Sequence, residues 1–322
     1  MQPSKQYYTY RAKKTLQIQK CFQHLQVRNG VKAVRNRMRL SRDAIYNLIE
    51  LSHDIDFVHH ITVHPDLIAI LYSPTMLDIF RATANHHLPV QTLSYDTTFT
   101  LGDFYVSVLL FRETEFTTSP VMPLAFMLHE RKTAETHDLF FRHIKAASTT
   151  LQATSNCLIV TDGEQGIVQA IENNLPAVQH LLCFNHVMQD AKRWLRDHGA
   201  HSADEVAYYL DCMRTLQASY SEDEYKDGLI SYFAKWSQPF AQWFTDHVHP
   251  VIDKIGAWRL RPFQMEEATT NQAESFNHVI KQLQVHQCRN VLSPQNYLLF
   301  IMMYTLVNEQ CTFLRQTIWL CK

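Results

Sequence analysis

From residue 89 the sequence stops reading as helix. LPVQTLSYDTTF, FYVSVLLF and VMPLAFML follow one another, three short runs rich in β-branched and aromatic residues. TLGD separates the first two and predicts a tight hairpin turn. The second and third runs are apolar almost throughout, as in a sheet covered on both faces. A helical stretch at 134–152 comes next, with Leu139, Phe140, Ile144, Ala147 and Leu151 on one side. CLIV at 157–160 predicts a fourth strand, and GIVQAIENNL at 166–175 a helix ended by Pro176. HLLCF at 180–184 predicts a fifth strand, running into a helix through 186–197.

This order, β-β-β-α-β-α-β-α, constrains the architecture more than any other property of the chain. Three meandering strands followed by αβ units make an α/β fold with a mixed sheet and helices on both sides. That is the order of the ribonuclease-H-like fold. From about 187 to 268 the text is helical and aromatic, with Trp194, Trp236, Trp243 and Trp258, and predicts an all-helical insertion. A last helix opens at TTNQAESFNHVIKQLQ. Ahead of the core, 1–86 reads as a basic helical region. Apolar positions from Leu16 to Leu51 predict helix over 13–53, and 66–85 predicts a helix broken near Ser73-Pro74. The chain thus divides into 1–86, a first part of the core at 87–186, the insertion at 187–268, and C-terminal helices at 269–322 that complete the core.

Composition narrows the partners. The seven cysteines are scattered without a CxxC pair, which argues against a disulfide framework and for a reducing compartment. The N-terminus MQPSKQYYTYRAKK lacks the apolar stretch of a secretory signal. YLLFIMMYTLV at 297–307 is too short to span a bilayer and predicts a buried helix, so no membrane partner is expected. Net charge is −1 but unevenly spread: residues 1–50 carry eleven Lys and Arg against two acids. A basic arm on an acidic body suits a polyanion, with Lys32, Arg35, Arg37 and Arg39 as candidate backbone contacts; a solvated helix face is the plainer alternative.

The chemistry lies in the acids. In LIVTDGEQG an aspartate, Asp162, sits where a strand's apolar run stops. In LSYDTTF, Asp96 lies late in the first strand, on a stripe shared with Ser94 and Thr98. The predicted topology sets these two strands side by side and parallel, with both acids toward one edge of the sheet. Each acid has an ordinary reading by itself. Asp162, with Gln165 three residues on, resembles a capping box; Asp96 suits a hydrogen-bonded strand end; Glu274 suits a solvated helix face paired with His278. Together they suggest more, because clustered carboxylates repel unless a cation neutralises them. Oxygen ligands of this kind suit Mg²⁺ or Mn²⁺, and a pair of such ions suits phosphodiester chemistry.

The segments SYDTTFTLGDFYVS, TDGEQGIVQAIENNLPAVQHLLCFNH and TTNQAESFN, in this order, resemble the Mutator-like element (MULE) DDE transposases over roughly 85–285. The resemblance implies that Asp96, Asp162 and Glu274 are the catalytic acids. They would bind two Mg²⁺ or Mn²⁺ ions, cleave DNA at transposon ends and join the freed 3′-hydroxyl to target DNA. It implies a homodimer or larger synaptic assembly and, in a eukaryotic cell, work in the nucleus. The family's C-x2-H signature falls on Cys183 and His186.

A cysteine and a histidine at that spacing form half of a zinc site, but no second half is evident; Cys157, Cys212 and Cys288 are candidates by composition only, and zinc is not expected. The expected role is local, with His186 near the acids and Cys183 packed at the end of the fifth strand. HERK at 129–132 ends the third strand at the same edge, making Arg131 and Lys132 candidate DNA-backbone contacts. The zinc-binding modules common in the family, before and after the core, have no counterpart in these residues. Two alternatives therefore stand: a domesticated, catalytically silent DNA- or chromatin-binding protein, and a nuclease that cuts without joining.

Overall fold

The computed structural model describes residues 56–84, 90–98, 104–113, 119–153, 157–198 and 202–278, with a few helical positions between 46 and 53. It is a mixed α/β protein built on one seven-stranded sheet. The strands are β1 (Val58–Thr62), β2 (Ile68–Tyr72), β3 (Gln91–Thr98), β4 (Tyr105–Arg112), β5 (Val121–His129), β6 (Cys157–Thr161) and β7 (Gln179–Leu182). Their spatial order is β1-β2-β5-β4-β3-β6-β7. From β1 to β3 every neighbour is antiparallel; β3–β6 and β6–β7 are parallel.

Helix α1 (Pro74–Ala84) follows β2, and α2 (Ala134–Ala147) and α3 (Thr149–Ala153) follow β5. Helix α4 (Gln165–Asn174) joins β6 to β7, giving a parallel β-α-β crossover. Thr133 caps α2 by accepting from the Thr136 amide, and the helix stops at Ser148 before resuming as α3. Where α2 and α4 meet, a side chain at Gly166 would come within 3.2 Å of the Ala134 backbone, so the glycine permits the close approach. Beyond β7 come α5 (Phe184–Asp197), α6 (Ala203–Gln217), α7 (Glu222–Phe233), α8 (Gln238–His247) and α9 (Ala257–Leu260). A further helix, α10, covers 271–278.

The five strands expected between 89 and 184 are all present, and the helical character of 187–268 holds. The region 1–86 needs correction. Residues 68–72 are strand, not helix, and β1 precedes them; α1 begins only at Pro74. IAILY is a five-residue apolar run, and such a run has no periodicity that separates a buried strand from a buried helix. Pairing decides: β2 is hydrogen-bonded to β1 on one side and to β5 on the other. Pro74 then supplies a preset first helical turn, where its missing N–H costs nothing. Most of 1–55, with the predicted helix over 13–53 and Lys32, Arg35, Arg37 and Arg39, lies outside the described residues, as does everything after 278.

One face of β3 carries Leu93 and Tyr95 against α2, where the Tyr95 ring meets Phe140 and Phe141 at 5.4 and 4.9 Å. This interior also holds polar groups in pairs. Tyr95 Oη and His137 Nδ1 lie 2.8 Å apart, and Ser107 Oγ bridges Thr97 Oγ1 (2.8 Å) and His129 Nε2 (2.9 Å). The opposite face carries Asp96, level with Val108 and Phe126 on the next two strands. Phe276 of α10 packs on that face, 6.1 Å from the Phe126 ring. The helices after β7 have their own core around Phe240, Phe244, Met213 and Tyr225.

Candidate active site

The parallel register between β3 and β6 brings the two aspartates together. Ser94 stands opposite Val160; Asp96 lies two residues further along β3, and Asp162 directly follows the last residue of β6. Side chains alternate along a strand, and neighbouring strands lie about 4.8 Å apart. Both carboxylates therefore lie at the same edge of the sheet, close enough for Asp162 to act on Asp96. Asp162 does not cap α4. The cap position is Glu164, which makes no side-chain cap bond, and Asp162 Oδ1 has only a long 3.4 Å contact with the Glu164 amide.

The third acid comes from α10, which lies across this face. Asn277 Nδ2 donates to Asp96 Oδ2 at 2.8 Å, tying helix to strand across 181 residues of sequence. Glu274 is on the same helix face, three residues earlier. It stands 3.8 Å from His186 Nε2. Glu274 Oε1 is buried without a hydrogen-bond partner, as is Asn277 Oδ1.

Electrostatics follow from this crowding. Burial pushes the Asp96 carboxyl above its ordinary value, and Asp162 pushes it further; His186 and the Thr97 amide oppose, while Glu274 adds to the rise. His186 is pushed up to about 9, first by its hydrogen bond with Cys183 and against the effect of burial, with the Cys183 thiolate, Asp162 and Asp96 favouring the cation. Burial would raise the Cys183 thiol, but hydrogen bonds from His186 and Thr270 outweigh it and lower the pKa. Cys183 directly follows β7 and is 1% exposed.

Among the described residues, no three His, Cys, Asp or Glu side chains stand close enough together to hold a metal ion as placed here. The donor chemistry nevertheless fits a hard divalent cation. The ligands on offer are oxygens, two carboxylates lie at one edge of the sheet, and the buried Oε1 of Glu274 accepts no hydrogen bond. Asp96, Asp162 and Glu274 are the residues that could hold it.

Arg131 and Lys132 are both engaged within the chain. Arg131 Nε pairs with Asp66 at 2.9 Å, and Lys132 pairs with Glu164, two residues beyond Asp162. Arg131 is 69% exposed and Lys132 only 19%, so of the two Arg131 is the one that faces solvent. Cys157 and Cys212 are buried in β6 and α6, and Cys288 is outside the described residues. Sequence reasoning missed Asn277, although it closes the segment TTNQAESFN and shares a helix face with Glu274. It also missed Thr270, whose contacts are long-range.

Asp96 and Asp162 thus lie at the ends of adjacent parallel strands, with the helix that carries Glu274 laid over them. Residues 92–190 match the family model of the MULE transposase domain. The match takes in Asp96, Asp162, Cys183 and His186 but ends before Glu274. No curated protein matches the chain. No helix among the described residues is long and apolar enough to cross a membrane.

Proposed function

We propose that this is a DDE transposase core that cleaves DNA at transposon ends and transfers the freed strand to target DNA. The strand arrangement β5-β4-β3-β6-β7, antiparallel to parallel across β3, is what a ribonuclease-H-like platform requires, and it supports that reading of the fold. A MULE transposase domain implies DNA as the partner. The single observation that carries the proposal is the parallel pairing of β3 and β6, which supports Asp96 and Asp162 as neighbours at one sheet edge, with α10 bonded to Asp96.

Asp96, Asp162 and Glu274 would hold two Mg²⁺ or Mn²⁺ ions. When bound, such a pair supplies an activated oxygen nucleophile and a stabilised leaving oxygen. The chain's own groups do the rest. The two aspartates set the position of charge on a rigid strand pair. Asn277 holds the Asp96 carboxylate through one of its oxygens. The His186 imidazolium offsets the negative charge of the three acids. Arg131, at the same edge and exposed beside Asp66, would meet a phosphate, and the basic stretch that includes Lys32, Arg35, Arg37 and Arg39 would supply further charge. Synapsis of two ends calls for a homodimer or larger assembly, and in a eukaryote for the nucleus.

A second reading is a domesticated protein that binds DNA or chromatin without catalysis. It is favoured by the spacing of the acids, among which no three-residue metal cluster is formed in this conformation. The discriminating experiment is nicking of supercoiled plasmid in Mg²⁺ and in Mn²⁺. Asp162→Asn should lower the nicking rate at least a hundredfold while leaving circular dichroism and DNA affinity within about twofold. Equal nicking by the variant, or none by the wild type in either ion, would remove the catalytic reading.

A further inference from the structure

In the proposal above only the histidine of the C-x2-H segment has a task, yet the contacts of the whole segment converge on one place. Cys183 Sγ accepts from the Thr270 amide at 3.3 Å. His186 Nδ1 lies 3.5 Å from Thr270 Oγ1, and the Thr270 carbonyl accepts from the Glu274 amide at 3.0 Å. One residue, Thr270, fully buried, thus joins the cysteine and histidine to the backbone of the glutamate. Three further contacts run alongside. The Phe184 amide donates to the Ala268 carbonyl at 2.9 Å, Asn185 Nδ2 donates to Asn271 Oδ1 at 2.7 Å, and His186 Nε2 faces Glu274 Oε1 at 3.8 Å. On its other side the segment is anchored to the aspartate strand, where the Cys183 amide donates to the Thr161 carbonyl at 2.8 Å. Thr161 is the residue before Asp162.

We infer that residues 183–186 form a clasp that positions Glu274: Cys183 and Asn185 fasten the start of α10 to the end of β6, so that the helix-borne acid reaches the two aspartates. A clasp is needed because the glutamate arrives after the α5–α9 helices, and chain connectivity alone leaves it free to swing. Cys183 and Asn185 act through Thr270 and Asn271 and are positioning residues. The cysteine serves as a buried acceptor for a backbone N–H, which explains why a small polarizable side chain stands at the end of an apolar strand. This inference rests on the metal reading of the acids and extends it.

The test is Mn²⁺ affinity of the full chain, read from free Mn²⁺ by electron paramagnetic resonance at a temperature where circular dichroism shows every variant folded. Cys183→Ala should weaken Mn²⁺ binding about tenfold, in the range that outer-shell partners of metal ligands command. Cys183→Ser keeps an acceptor and should recover most of that loss. Asn185→Ala, which touches only an exposed pair, should weaken binding severalfold without altering the core. In a Glu274→Gln background neither Cys183→Ala nor Asn185→Ala should cause a further loss, because the clasp acts through that side chain. Undiminished binding by both single variants, or the same loss with and without Glu274, would overturn the clasp while leaving the metal site standing. Absence of Mn²⁺ binding by the wild type would overturn the metal reading and the clasp with it.

Discussion

Asn277 offers the sharpest test of the electrostatics at the site. Its amide donates to Asp96 Oδ2 at 2.8 Å, and it is 4% exposed. Asn277→Ala removes one hydrogen bond to a charged group, at about 1.5–3 kcal/mol. Asn277→Asp removes the same bond and sets a second carboxylate against the first. Two unit charges about 4 Å apart at an effective dielectric constant of ~20 repel by about 4 kcal/mol. Protonation of one of them caps the cost below the full sum. The alanine variant should therefore lose about 2 kcal/mol and the aspartate variant about 4 kcal/mol at pH 7, roughly 4–8 °C and 8–16 °C in Tm for a domain of this size. The sign of the pH dependence is fixed. A carboxyl whose folded pKa is raised favours folding below its unfolded pKa and loses that contribution as pH rises through the folded value. The gap between the two variants should therefore close near pH 4 and open at pH 7. The assay is thermal denaturation of both variants and wild type at the two pH values, with and without about 10 mM Mg²⁺. Mg²⁺ should narrow the gap at pH 7, because a cation between the carboxylates cancels the repulsion. Equal Tm values for Asn277→Asp and Asn277→Ala at pH 7, or a gap that Mg²⁺ leaves untouched, would refute the argument.

Two further outcomes follow from charge. Burial holds His129 and His180 down at about 4 and His137 at about 3, so all three fold in the neutral form. Their stability contribution is intact above the unfolded pKa of about 6.5 and is lost as pH falls toward 4, with each histidine costing on the order of 1 kcal/mol or more by pH 5; urea midpoints at pH 7 and 5 measure this, and an unchanged midpoint would contradict it. Deleting residues 1–42, which hold all eleven of the Lys and Arg counted in the first fifty positions, should weaken DNA binding and reduce the slope of log affinity against log salt by several units. A salt slope equal to that of the full chain would remove the arm as a contact surface.

The central sheet was legible because its strands sit between strong punctuation. TLGD and Pro176 bracket elements whose apolar runs are too short for helices, and the β-β-β-α-β-α-β-α order leaves few ways to connect them. Asp96 and Asp162 were legible for a related reason: a charged residue at a fixed place in an apolar strand is conspicuous, and parallel pairing of the strands follows from the crossover. Strands β1 and β2 were not. IAILY has no periodicity to betray its state, and the pairing that makes it a strand involves β5, more than fifty residues away. Ser148, which divides α2 from α3, also passed unseen, since serine in a helix is unremarkable without its geometry. The partners of Glu274 were hidden most deeply. Local spacing points to His278, and although His186 was expected near the acids, its contact with Glu274 spans the whole helical insertion and no local pattern specifies it. Asp162 shows the opposite: its capping-box pattern was plausible locally and is not used, because the helix starts two residues later, after Glu164.

The claim on which all of this depends is that Asp96, Asp162 and Glu274 take up divalent ions jointly. It is tested most directly by titrating the full chain with Mn²⁺ and following both the number of ions bound and their magnetic coupling. Two ions per chain, coupled as a pair about 3.5–4 Å apart, with coupling abolished separately by Asp96→Asn, Asp162→Asn and Glu274→Gln, is the predicted result. Mn²⁺ binding that is identical in wild type and in all three variants would contradict it.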